Sequence, residues 1–259
     1  SDEDIDYFRQ QKLFSEEFLT FLRGFHFRGD IYAVPEGTII YPDEPLLTIV
    51  APIIDAQLIE TAILAQINHQ SLIATKASRI VRAAEGRCVS DFGARRAHNM
   101  DAATYGARAA YIGGVDMTAT VSAGQQFGIP ISGTMAHSWV MFFEDELTAF
   151  KNYAEIYPQA TVLLVDTYDV IHSGIPNAVR TAHEVLEPQG HRLVGVRIDS
   201  GDLAYLSKRI RTMLDDAGLA DCKIILSNSL DEFTISSLLL QGASVDSFGV
   251  GERLITAKS

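Results

Sequence analysis

Cysteine is almost absent from this chain of 259 residues: only Cys88 and Cys222 occur, and neither sits in a CxxC or histidine-rich setting. That removes a disulfide framework and a zinc site of the usual spacing, and it fits a reducing compartment. Long hydrophobic runs are missing too, since no stretch of about 18 apolar residues is available to cross a bilayer, and the start carries no signal-peptide pattern. We therefore expect a cytoplasmic protein with no membrane partner. Positive charge is scarce: 21 Lys and Arg stand against 33 Asp and Glu, for a net charge of −12. No basic run offsets this, so a phosphate backbone would be repelled and nucleic acid is not an expected partner.

What is present suits an ordinary globular core, with 47% hydrophobic and 21% charged residues. The chain opens on Ser1 rather than Met, runs through an acidic stretch from Asp2 to Asp6 that reads as solvated, and stops at Ser259 after a strand-like segment. We expect an incomplete protein. Residues 31–34, 37–41 and 46–50 read as short extended pieces punctuated by Pro35, Gly37 and Pro42. From Asp55 to about Ala84, apolar residues recur at three and four positions, which predicts a long, buried helix.

After Gly86 the pattern becomes β then α. Strands are predicted at 87–91, 115–120, 129–132, 161–165, 193–197, 223–227 and 245–249, with helices at 99–111, 121–127, 143–157, 176–188, 202–216 and 231–241. Such alternation makes successive strands parallel. No glycine-rich dinucleotide fingerprint follows the first strand, so we expect an irregular, TIM-like (β/α) barrel rather than a doubly wound sheet. Residues 1–86 would form a small α/β module with the long helix, and 87–259 the barrel domain, incomplete at its C-terminal end.

In a barrel, the loops after the strands share one face, so polar residues there converge in space. This chain supplies Phe92 and Arg95, Asp116, His137 with Ser138, Asp166, Arg197 with Asp199 and Asp202, Ser227 with Asn228, and Gly249 with Gly251. Arg95 and Arg197 together point to an anionic ligand, although each can instead pair with a rim carboxylate. Asp199 can orient a sugar hydroxyl or a Mg²⁺ on a diphosphate, the bland alternative being that Asp199 or Ser200 merely caps the next helix. Two closely spaced glycines, Gly249 and Gly251, let backbone amides approach a phosphate; a turn is the plainer reading. His137, among small residues in a loop, is suited to act as acid, base or nucleophile toward phosphate, or is an ordinary loop histidine. No lysine of Lys76, Lys151, Lys208 and Lys223 stands at a strand's carboxyl end, which removes a Schiff-base lyase or aldolase.

Taken as an ordered set, Asp91-Phe-Gly-Ala-Arg-Arg96, Gly133-Thr-Met-Ala-His-Ser138, Val165-Asp-Thr-Tyr-Asp169, Val196-Arg-Ile-Asp-Ser-Gly-Asp-Leu203 and Phe248-Gly-Val-Gly251 resemble the nicotinate phosphoribosyltransferase family, from about Phe27 to Ala257. The resemblance implies transfer of 5-phosphoribosyl from phosphoribosyl diphosphate to nicotinate in NAD salvage. ATP hydrolysis would drive the reaction, Mg²⁺ would assist, and a homodimer would share active sites. It further implies a transiently phosphorylated His137, Phe92 stacked on the pyridine ring, and Arg197 near the pyridine carboxylate. Arg95, Asp166 and Asp199 would lie on the ribose-phosphate and diphosphate side, and Gly249 with Gly251 at the 5-phosphate. The same resemblance leaves a nicotinamide or quinolinate phosphoribosyltransferase, and a non-catalytic relative, as alternatives.

Overall fold

The structure, a computed structural model, describes residues 1–258 and divides into two compact units, Ser1–Gln66 and Ile67–Ser259. The division falls inside one continuous helix rather than at its end near residue 86. The first unit holds α1 (Asp2–Gln11), α2 (Glu16–Arg23), the antiparallel pair β1 (Asp30–Ala33) and β2 (Leu47–Val50), and the start of α3 (Ile53–Ala83). The acidic opening is thus helical, not coil: Ser1 and Asp4 form a reciprocal capping box, and Ser15 caps α2. The run 37–41 forms no strand. In this unit, the fully enclosed Asp55 accepts hydrogen bonds from the Arg28 backbone N–H, Nε and Nη2 at 3.0, 3.1 and 2.9 Å. These bonds hold its carboxyl below the ordinary range.

The second unit alternates strand and helix. In chain order it runs β3 (Cys88–Asp91), α4 (Met100–Ile112), β4 (Met117–Thr118), α5 (Val121–Phe127), α6 (His137–Phe142), α7 (Glu146–Ile156), β5 (Val162–Leu164) and α8 (Ile175–Thr181). It continues with β6 (Gly195–Ile198), α9 (Leu203–Asp216), β7 (Lys223–Leu226), α10 (Glu232–Leu240), β8 (Ser247–Val250) and α11 (Glu252–Ile255). Helix α8 is extended on both sides by π-helical turns at Val170–Gly174 and Ala182–Leu186. Side chains of Asn99, Asp145, Asp202 and Asp231 cap α4, α7, α9 and α10, so three strand-to-helix turns and the turn between α6 and α7 are fixed by one residue each.

All six strands of this unit are parallel, in the order β4-β3-β8-β7-β6-β5. The first strand pairs with both the second and the last, which is the neighbour relation of a barrel and not of a doubly wound sheet. Thr118 makes one parallel bridge to Ile131, so the segment predicted as a strand at 129–132 contributes a single bridge beside β4. Curvature follows from what meets inside: Ser132, Gly133 and Thr134, beyond one edge of the sheet, and Val162, on the strand at the other edge, line the same cavity of about 360 Å³. The fold is α/β with a barrel-like core.

Close approach of backbones explains several small residues around this core. A Cβ on Gly174 would stand 1.9 Å from the Val165 carbonyl, and one on Gly106 of α4 would stand 2.5 Å from Ile255 Cδ1. The buried alanines Ala103, Ala107, Ala109 and Ala110 give α4 the flat face that lets it lie this close. Strand β6 is buried at all four positions, as a parallel strand covered on both faces must be.

Candidate active site

Buried Asp91, at the end of β3, builds the first wall. It accepts hydrogen bonds from the Gly93 N–H at 2.8 Å and from Thr118 Oγ1 at 2.7 Å, which bend the chain into the short 3₁₀ turn carrying Arg95 and Arg96. Burial pushes the Asp91 pKa up, and the two hydrogen bonds pull it partly back. Phe92 follows, its ring pressed against Gly249: a Cβ there would lie 2.4 Å from Phe92 Cε2. Gly249 is therefore small because an aromatic ring occupies the space, and neither Gly249 nor Gly251 has a left-handed backbone.

Arg197 projects from β6 and is only 8% exposed. Its Nη1 donates to Ser227 Oγ at 3.2 Å and its Nη2 to the Met135 carbonyl at 3.0 Å, while its guanidinium carbon stands 6.0 Å from the centre of the Phe92 ring. Nε is buried with no partner. Burial lowers the Arg197 pKa, Asp199 and then Asp166 raise it, and Arg95 lowers it again; a guanidinium stays charged throughout.

His137 opens α6, and its Nε2 lies 3.1 Å from Asp166 Oδ1. Buried Asp166 uses its other oxygen to accept the Asp199 N–H at 2.9 Å and the Ser200 hydroxyl at 2.5 Å. The carboxylate plane is thus fixed from both sides, and the imidazole is oriented by an acceptor that is itself held. Asp199 accepts the Ser227 hydroxyl at 2.6 Å and lies 3.7 Å from Arg197 Nη1. Beyond β7, Asn228 and Ser229 both have left-handed backbone, with φ of 92° and 50°. Non-glycine residues hold that conformation only where the surroundings impose it.

These groups share one cavity of about 440 Å³, lined by Phe92, Arg95, Arg96, His137, Arg197, Asp199, Ser227, Asn228, Gly249 and Gly251 among others. It adjoins the space inside the barrel, with Phe92, Gly133, Thr134 and Arg197 lining both. Asp166 touches the group through His137. Three expected residues lie elsewhere. Asp116 precedes β4 rather than following it, and its carboxylate accepts the Val89 N–H at 2.8 Å. Asp202 caps α9 by accepting the Tyr205 N–H at 3.0 Å, so the cap is neither Asp199 nor Ser200. Ser138 is exposed on α6 and on neither cavity wall. Among the described residues, no group of three or more His, Cys, Asp and Glu can hold a metal ion by itself.

The arrangement is a buried cation over an aromatic ring, a histidine locked to a carboxylate, and a rim of arginines and small residues. A family model described as the nicotinate phosphoribosyltransferase (NAPRTase) family matches residues 88–258, and the corresponding N-terminal domain model matches residues 1–68. The chain belongs to the nicotinate phosphoribosyltransferase family. It is 51% identical to the nicotinate phosphoribosyltransferase of Bacillus subtilis (strain 168), over 99% of this chain and 52% of that protein. The crystal structure of human nicotinic acid phosphoribosyltransferase superposes with a TM-score of 0.89 at 30% identity, over 97% of this chain and 61% of that one. A nicotinate-nucleotide pyrophosphorylase from Pyrococcus furiosus superposes with a TM-score of 0.76 at 34% identity, covering 89% and 58%. The chain spans about half the length of the curated relatives it matches.

Within this nicotinate phosphoribosyltransferase scaffold, the sequence named Ser227 as a strand-end residue and Ser200 only as a helix cap, without the role of either in holding a charged group. Asp91, Ser200, Ser227 and the Met135 carbonyl carry that work. Ser227 and Ser200 sit directly in the strand-end segments, so position marked them; a backbone carbonyl leaves no mark in a sequence.

Proposed function

We propose that this chain carries the site that transfers a 5-phosphoribosyl group from phosphoribosyl diphosphate to nicotinate, giving nicotinate mononucleotide and diphosphate for NAD synthesis. The observation that carries this reading is Arg197: a buried guanidinium beside an aromatic ring, with its Nε unpartnered, on a wall common to both cavities. A buried donor of this kind is satisfied by a carboxylate. Thr134, whose Oγ1 is also buried and unpartnered, lines the same two cavities. A planar aromatic acid fits this pair of demands, with its ring on Phe92 and its carboxylate on Arg197.

Phosphoribosyl transfer breaks the bond between the sugar carbon and diphosphate while the ring nitrogen bonds that carbon. Positive charge builds on the sugar as negative charge builds on the leaving group. Asp199, with one oxygen held by Ser227, steadies the sugar side, and Arg95, Arg96 and the end of β8 at Gly249–Gly251 receive the phosphates. Mg²⁺ would be held by the substrate's diphosphate together with Asp199, consistent with a site that offers single carboxylates rather than a cluster; bound there it neutralises phosphate charge.

In this reading His137 takes the γ-phosphoryl group of ATP as ADP departs, and water later cleaves the N–P bond to release phosphate and restore the imidazole. With Nε2 engaged by Asp166, Nδ1 is the nitrogen left to form the bond, and Asp166 stabilises the resulting charge on the ring. The histidine and the ring-binding arginine are joined through Asp166 and Asp199, which gives ATP use a physical route to the transfer site. The enzyme would work in the cytoplasm as a homodimer with shared sites.

Incubation with γ-labelled ATP tests this. Acid-labile label on the wild type that disappears in His137→Ala, with nicotinate outcompeting nicotinamide for transfer, is the expected result; a folded wild type that takes no label and transfers nothing to nicotinate defeats it.

A further inference from the structure

We propose that Ser227 is the positioning residue that sets the distance between Arg197 and Asp199, and thereby the binding strength for the pyridine acid. This rests on the nicotinate reading above for its kinetic consequence, but its structural content does not. Ser227 directly follows β7 and is 3% exposed, its backbone N–H donating to the Ile198 carbonyl at 3.0 Å. A serine hydroxyl has one proton and two lone pairs. Here the proton has two acceptors in reach, Asp199 Oδ1 at 2.6 Å and the Ile198 carbonyl at 3.3 Å, and the short contact to a charged oxygen takes it. Arg197 Nη1 occupies a lone pair at 3.2 Å. Cation and carboxylate are 3.7 Å apart, too far for a direct hydrogen bond, so the hydroxyl is the link between them.

This spacing has a chemical consequence. A buried arginine bonded directly to Asp199 would have its charge met inside the protein, leaving less for a ligand carboxylate, and Asp199 would be drawn away from the cavity. With the hydroxyl interposed, both groups remain on the cavity wall. Neighbours confine Ser227: a Cβ on Gly249 would be only 3.3 Å from its Cβ. The other hydroxyl of the network, Ser200, serves Asp166 and so belongs to the histidine branch.

The test is Ser227→Ala in the full chain, with Ser227→Cys as a second variant that keeps a side-chain donor and weakens the hydrogen bond. Side-chain ¹⁵N NMR of Arg197 without ligand reads the structural claim: restricted, shifted Nη resonances in the wild type are expected to move and to rotate faster in both variants. Kinetics read the consequence: KM for nicotinate rises about tenfold or more, while ATP-dependent labelling of His137 stays within about twofold, as loss of one hydrogen bond to a charged group predicts. Unchanged Arg197 resonances in a folded variant overturn the proposal, as does an unchanged KM where resonances move. A wild type without transfer activity overturns the nicotinate reading instead, and the NMR comparison still decides the role of Ser227.

Discussion

At the scale of single residues, burial decides which groups are chemically available. His137, with 38% of its side chain exposed, can meet a nucleotide, whereas Cys222, 1% exposed, cannot meet anything. Burial pushes the Cys222 thiol from an ordinary 9.0 up to about 12. The folded state thus favours the neutral thiol, and its contribution is fully present below pH 9 and lost as pH rises through about 12. We expect the melting temperature of the wild type to fall more steeply between these two pH values than that of Cys222→Ala, each referenced to its own value at pH 8. Parallel curves would mean that the thiol is not desolvated as described. Iodoacetamide at pH 8 should likewise spare Cys222 until urea is added.

Helices and strands were legible in proportion to how much of their signal is local. The runs Val162–Leu164 and Lys223–Leu226 lie inside the predicted spans, Gly195–Ile198 passes its predicted end by one residue, and α5 coincides with its predicted bounds. Helix α1 was missed because the acidic stretch from Asp2 to Asp6 read as solvated, and α2 was given no reading, although Ser1 and Ser15 carried cap signals. The pair of carboxylates in Ile198-Asp-Ser-Gly-Asp202 was legible as important but not in its division of labour: Asp199 faces the cavity, and Asp202 caps α9. That division is testable at the level of the helix. Asp202→Ala should lower stability by about 1 kcal/mol in urea unfolding, with KM for phosphoribosyl diphosphate unchanged. A raised KM at unchanged stability would return Asp202 to the ligand.

For the molecule as a whole, the barrel was legible because alternation and the absence of a dinucleotide fingerprint leave few topologies, and the first-to-last pairing of β3 with β8 completes it. The site was legible in its outline for the same reason: a parallel barrel puts strand ends on one face, so order in the sequence becomes proximity in space. Where that rule failed, as at Asp116, the residue precedes its strand. The distribution of burial was not legible. The long apolar periodicity from 55 to 84 suggested one buried helix, yet Leu58, Leu64 and Leu72 are exposed while Ala77, Ile80 and Ala84 are enclosed. The first unit buries only Ile5, Leu19 and Asp55, whereas the second encloses nearly every strand residue of β5, β6 and β8. Opening free energy follows buried apolar contact, so the two units should differ in local stability. In hydrogen exchange followed by mass spectrometry, peptides from Ser1–Gln66 should exchange at rates set by local opening, and those of β3, β6, β7 and β8 only on global unfolding. Moderate urea should accelerate exchange steeply in the strands, because their exposure requires loss of the whole core, and hardly at all in the first unit. Equal protection and equal urea dependence across both would show that the chain unfolds as one cooperative block despite its uneven core.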